Sequence, residues 1–243
     1  MDKRFLIILA AIIVIFGGIF VVSKKSSGNK SGSSSSSTSQ PTNHIRGNGK
    51  KGVTLIEYGD YQCPFCKQYY PIIEQLFAQY KDDIYFQFRN LPLVSLHPNA
   101  FSAARAAEAA GLQNKYWEMY AKLYQNQDNW KDSTNLLNTF TTYAQQISLN
   151  TTQFKEDYAS GKVNNSINAY LAEFKKTKAK EATPTFVLNG RVIESPQSMQ
   201  AFQQLLDSEI AKKSPPRVAV HPKPVSSSWS REQSCTKTAE DIP

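Results

Sequence analysis

The segment "VTLIEYGDYQCPFCKQYYP" (Val53–Pro71) constrains the fold more than any other part of the chain. It opens with a short β-branched run, Val53–Tyr58, of the kind that forms a buried strand. Two of the chain's three cysteines, Cys63 and Cys66, follow two residues apart. Beyond them Ile72, Ile73, Leu76, Phe77 and Tyr80 recur at helical spacing. Pro71 is expected to kink that helix near its start. A second alternating run, Ile84–Phe88 ("IYFQF"), completes a strand–helix–strand unit, which is the parallel crossover.

A pair spaced in this way has three readings. Half of a zinc site would need two more ligands, and there is no second C-x-x-C. His44 and His221 lie outside the expected domain, leaving His97 within it, so no metal is expected. A static disulfide over two residues closes a very small loop and stabilises little. A redox pair predicts a strand, the pair, and a helix opening at the first cysteine, and all three are present. A thiol at a helix N-terminus faces unpaired N–H donors and the positive end of the helix dipole. Both favour thiolate, which makes Cys63 the nucleophile. Pro64 suits the first helical position, where its missing N–H is not needed. Cys66, one turn on, is the more buried resolving thiol, and exchange with a client passes through a mixed disulfide. Pro64 and Phe65, between the cysteines, are placed on the substrate side.

Two further positions fit that chemistry. Thr183-Pro184 starts the strand in "TPTFVLNG", and a cis bond there would bring the backbone of Thr183 beside the cysteines. That backbone could pair with an extended substrate, as an added strand does. The plain alternative for Pro184 is a proline that merely starts a strand. Glu57 sits in a strand that otherwise reads as buried. A carboxyl there would have a raised pKa and could exchange a proton with Cys66. The alternative is a half-exposed edge residue. His97 could line a helical lid or serve as an ordinary structural histidine. Cys235 is read as unpaired.

Between the second and third strands of this unit, about residues 98–180, the pattern is helical. "NAFSAARAAEAAG" ends on Gly111, a good helix stop. Ser133 or Thr134 is expected to cap the helix carrying Leu136 and Phe140, and Thr151 the helix carrying Phe154 and Tyr158. Asn164–Lys178 is a further amphipathic run. "TFVLNGRVIES" reads as a hairpin with a two-residue turn at Asn189-Gly190. Gln197–Lys213 closes the domain as a helix.

The flanks have another character. Phe5–Val22 is almost wholly apolar, with Lys3 and Arg4 before it and Lys24 and Lys25 after. As a helix it would be roughly 27 Å long, about the thickness of bilayer hydrocarbon. It is expected to be an uncleaved single-pass anchor over residues 1–22. No clear small-residue cleavage site follows, although a signal peptide is the rival reading. Residues 23–52 ("SGSSSSSTSQ" within them) are expected to form a flexible tether, and 214–243 a disordered tail. The domain is then 53–213. The net charge of +8 comes from dispersed Lys and Arg without a basic, aromatic-interleaved stripe, so nucleic acid is not an expected partner.

The motifs "EYGDYQCPFC", "HPNAFSAARAAEAAG" and "TPTFVLNG", with the helical insertion between them, resemble the DsbA-like thiol–disulfide oxidoreductases. The similarity is greatest to the membrane-tethered, BdbD-like type and runs from about Val53 to Lys213. It implies an α/β thioredoxin fold with the helical insertion, preceded by one transmembrane helix. It implies the roles already given to Cys63 and Cys66, a cis-proline loop at Thr183-Pro184, and an acidic residue at Glu57. It implies no cofactor and a catalytic domain on the extracytoplasmic side of the cell membrane. The partners it implies are exported client proteins and a quinone-linked membrane reoxidase, similar to DsbB or to vitamin K epoxide reductase. The chain departs from the strongly oxidising members by having Pro-Phe between its cysteines. Phe65 has no hydrogen-bond donor for a thiolate. The expected activity is that of a dithiol oxidase. A reductase or isomerase would use the same residues, and a peptide-binding holdase would leave the thiols incidental.

Overall fold

The computed structural model describes residues 41–213. They form a five-stranded mixed sheet in the order β1-β3-β2-β4-β5. The strands are β1 (Ile45–Arg46), β2 (Val53–Gly59), β3 (Ile84–Asn90), β4 (Thr185–Leu188) and β5 (Arg191–Ile193). β2 and β3 are parallel, and the other three pairings are antiparallel. Helix α1 (Pro64–Tyr80) is the crossover between β2 and β3 and contains Pro71. The β4–β5 hairpin turns through Asn189 and Gly190, at φ 49° and 79°, the left-handed pair that a two-residue I′ turn requires.

The insertion between β3 and β4 comprises six helices. They are α2 (Ala100–Gly111), α3 (Tyr116–Gln125), α4 (Gln127–Trp130), α5 (Leu136–Gln146), α6 (Thr151–Ala159) and α7 (Gly161–Lys176). The alanines of α2 explain their packing. Ala103, Ala104, Ala106, Ala107, Ala109 and Ala110 are all buried, and small side chains let neighbouring helices approach closely. The last helix, α8 (Met199–Lys213), returns to α1. There Tyr80 donates to Asp207 at 2.7 Å, and Phe202 meets Tyr69 edge-on.

Several boundaries differ from the sequence reading. The domain begins before Val53. Residues 41–52, assigned above to the tether, lie against it as an ordered arm. Ile45 and Arg46 pair with Gln87 and Phe86 of β3, and the N–H groups of Asn48, Lys50 and Lys51 bond to the carbonyls of Lys81, Asp82 and Asp83. The arm is held by side chains that composition does not reveal. Buried Glu108 accepts from Thr42 at 2.6 Å and bonds His44 at 3.1 Å, while His44 stacks on Tyr116. The caps also shift. Asn135 precedes α5 with no side-chain cap bond, and Asn150, whose side chain accepts from Thr152 and Gln153, caps α6. Ser160 caps α7, which starts three residues earlier than the amphipathic pattern. No helix among the described residues is long and apolar enough to cross a membrane. Phe5–Val22, the tether up to residue 40 and the 214–243 tail lie outside the described residues.

Candidate active site

Cys63 is the N-cap of α1, with extended backbone (φ −66°, ψ 125°), and Pro64 takes the first helical position. The approach to this cap is fixed from several sides. Cys63 N–H donates to the Asp60 carbonyl at 3.1 Å. Gln127, from the short helix α4, donates its amide to the carbonyls of both Tyr61 and Cys63, at 2.7 and 3.0 Å. Asp60 is buried and fully bonded: it accepts from Gln62 N–H at 2.7 Å and Leu93 N–H at 2.9 Å, and bonds His97 at 2.8 Å. His97 therefore ties the cysteine loop to the segment after β3 through Asp60.

The two thiols, both free, occupy different environments. The Cys63 thiol lies 3.5 Å from the carbonyl of Thr183 and is pulled down to about 6. The main cause is a hydrogen bond from the Cys66 thiol, which outweighs the opposing effect of burial. The backbone N–H groups of Cys66 and Phe65 add to it. Cys66 is wholly buried, and that burial pushes its pKa well up, reinforced by its bond to Cys63 and by the Glu57 charge. One thiol is thus set to be the thiolate and the other the proton carrier.

The Thr183-Pro184 bond is cis, and the Thr183 carbonyl lies against Cys63. The loop is fixed by Thr185 donating to the Ala182 carbonyl at 2.7 Å and Ser195 donating to the Pro184 carbonyl at 3.3 Å. The Thr183 hydroxyl is buried without a partner. Pro64 and Phe65 face outward, and Phe65 is 60 % exposed beside the nucleophile.

Glu57 is buried in the central strand rather than at a half-exposed edge, flanked in register by Phe88 and Phe186. Its Oε2 has no hydrogen-bond partner. Burial raises its pKa to about 8, and the thiolate of Cys63 and the Glu74 carboxylate push in the same direction. Arg46 opposes them. Sequence reasoning missed Asp60, Gln127 and Arg46. Asp60 sits in the quoted motif and could have been found there. The other two act from the insertion and the arm, where only tertiary packing reveals them. No cluster of three His, Cys, Asp or Glu side chains suited to a metal occurs among the described residues. Cys235 lies outside them.

A thioredoxin family model matches residues 39–208. The chain belongs to the thioredoxin family. Solved structures with the same architecture include oxidised BdbD from Bacillus subtilis (23 % identity, TM-score 0.60, covering 71 % of this chain and 94 % of that one). Another is α-DsbA1 from Wolbachia pipientis (19 % identity, TM-score 0.61, covering 72 % and 94 %). The fold is therefore DsbA-like. Among curated relatives, the Na(+)/H(+) antiporter NhaA 1 of Mycolicibacterium gilvum is 35 % identical over 170 residues, which cover 68 % of this chain and 26 % of that protein. The chain spans about a quarter of the length of the curated relatives it matches. Family, fold and the paired cysteines together mark a thiol–disulfide oxidoreductase.

Proposed function

We propose that the domain is an extracytoplasmic dithiol oxidase that passes a Cys63–Cys66 disulfide to exported proteins. The observation that carries the direction is the lowered Cys63 thiol, at about 6. Stabilising the thiolate stabilises the reduced form, which makes the disulfide the better oxidant. In the first step a client thiolate attacks Cys63 Sγ. The Cys63–Cys66 bond breaks and Cys66 leaves with the electron pair. Burial makes a Cys66 anion costly, and Glu57, still protonated at neutral pH, supplies the proton to it. A second client thiolate then attacks the client sulfur of the mixed disulfide. Cys63 departs as a stabilised thiolate, and the client has lost two electrons to the pair. The Thr183 backbone pairs with the extended client segment during both attacks.

The two electrons and the protons pass to a quinone-linked membrane protein, similar to DsbB or to vitamin K epoxide reductase. Phe5–Val22 holds the domain near that partner as an anchor. Membrane fractionation tests the anchor, and a mature N-terminus just after Val22 would replace it with a cleaved signal. Antiport is not proposed, because the chain covers only about a quarter of those relatives' length. One observation favours the opposite direction: the exposed Phe65 side chain adds no donor to the thiolate, which weakens the oxidant. The reduction potential decides between them. A value near −120 mV supports the oxidase, and one near −270 mV makes the same residues a reductase.

A further inference from the structure

Arg46 is an unusual residue for an edge strand. Its side chain is 13 % exposed, and its guanidinium lies over four rings: Phe77 at 4.1 Å, Trp117 at 4.4 Å, Phe86 at 4.9 Å and Tyr120 at 5.7 Å. Both terminal nitrogens bond Glu74 of α1, while buried Nε has no partner. The strand register places this cation on the active-site face. Arg46 is opposite Phe86, Phe86 is opposite Leu55, and Glu57 is two residues along β2 from Leu55. Side chains two apart on a strand share a face, so Arg46 and Glu57 project into the same layer beneath α1. Tyr120 bridges them, with its ring against Arg46 and, at 5.1 Å, against Phe88, the register partner of Glu57. Three buried polar atoms of this layer lack partners: Arg46 Nε, Tyr120 OH and Glu57 Oε2.

The arm that delivers Arg46 is built to stay against β3. Gly47 has φ +95°, and a Cβ there would collide with the carbonyl of Ile84. Gly49 has φ +57°, and a Cβ there would enter the Tyr85 ring. Packing alone gives little reason for an arginine here, since buried ion pairs are commonly replaced by apolar residues without loss of stability.

We propose that Arg46 is a positioning residue of the active site: its buried charge, brought in by the N-terminal arm, sets the proton equilibrium of Glu57 and through it that of Cys66. This rests on the reading of Cys63–Cys66 as an exchange pair served by Glu57. The charged and titratable groups around Glu57 are Cys63, Cys66, Glu74 and Tyr69 of α1 and its cap, Arg46 of β1, Tyr61 of the cysteine loop, and Tyr120 and Tyr124 of α3. Arg46 is the cation among them and favours the Glu57 carboxylate. Glu74 and the Cys63 thiolate act against it.

The test is an infrared titration of the Glu57 carboxyl in the oxidised full-length protein, assigned by difference from Glu57→Gln. No client and no cysteine thiolate contribute, so the result is independent of whether the enzyme is an oxidase or a reductase. Arg46→Met should raise the midpoint by about one pH unit or more, the ordinary scale for a nearby charge. Arg46→Lys should restore most of the shift. Glu74→Gln, which leaves the cation and removes its counter-ion, should lower the midpoint. Opposite shifts from two substitutions in one ion pair do not arise from general loosening of the core. Should Arg46→Met fail to fold, Glu74→Gln still decides. An unmoved midpoint in Glu74→Gln together with an unmoved one in Arg46→Met overturns the proposal, and, if Arg46→Met does not fold, an unmoved or raised midpoint in Glu74→Gln does so alone. Shifts of the same sign in Arg46→Met and Glu74→Gln also overturn it.

Discussion

Replacing Cys66 should change the chemistry of Cys63 before any client is present. The hydrogen bond from Cys66 is the largest influence holding the Cys63 thiol at about 6, against an ordinary value of 9.0. At pH 7 a thiol at 6 is ionised in about ten molecules of eleven, and one at 9 in about one of a hundred. The thiolate population is therefore raised about 90-fold. A thiolate of lower basicity is also a weaker nucleophile, by about 30-fold for three units at a Brønsted slope near 0.5. The net gain in attack rate at pH 7 is only about threefold. The larger effect is on the redox balance. Stabilising the reduced form by RT ln(11) is about 1.4 kcal/mol, or about 30 mV toward a stronger oxidant at pH 7.

These figures separate two measurements. Alkylation of Cys63 followed against pH, with thiolate ultraviolet absorbance beside it, should show a midpoint near 6 in the parent protein. Cys66→Ala removes the donor, and the midpoint should rise. Cys66→Ser keeps a hydroxyl in place, and its rise should be smaller. In the parent, the reduction potential should fall by about 59 mV per pH unit below the Cys63 midpoint and by about 30 mV above it, as one of the two protons is lost. A parent midpoint at the ordinary value of 9.0 would refute the reasoning. Equal midpoints in the parent and Cys66→Ala would refute its cause.

Three further outcomes follow from the same structure. Glu57 binds its proton more tightly folded (about 8) than unfolded (4.5), so its contribution to stability is complete below pH 4.5 and is lost as pH rises through 8. Denaturant unfolding of the reduced protein should show Glu57→Gln gaining on the parent by about 1.4 kcal/mol per pH unit across that window; parallel pH profiles would contradict the burial of an ionisable Glu57. Cys66→Ser should accumulate mixed disulfides with client proteins, visible on non-reducing gels, and Cys63→Ser should accumulate none, whereas equal trapping by both reverses their roles. A Cβ at position 111 would lie 2.5 Å from the His44 ring, so Gly111→Val should release the arm and speed amide exchange at Asn48, Lys50 and Lys51, and unchanged exchange there would show that His44 does not hold it.

The parts of the site legible from sequence were those built from neighbours along the chain. Cys63, Pro64 and Cys66 lie within one helical turn, so a helix N-terminus alone distinguishes the two thiols. Glu57 belongs to the same strand-to-helix segment, and its burial follows from the apolar residues on either side. Thr183-Pro184 needed more, because its contact with Cys63 spans 120 residues, yet a proline opening a strand is a conspicuous local signal. The arm had no such signal. "HIRGNGKKG" is polar, glycine-rich and continuous in composition with the tether, and those properties ordinarily mark unpaired chain. What orders it is a set of partners on other elements, namely Glu108 for His44, β3 for Ile45, and Glu74 with four rings for Arg46. Its glycines, read as flexibility, in fact permit backbone conformations and close approaches that other residues would block. The same segment that joins the tether to the domain thereby brings a cation onto the face of the sheet that carries Glu57. An arm that must be seated for Glu57 to hold its proton balance makes the region before Val53 part of the active site.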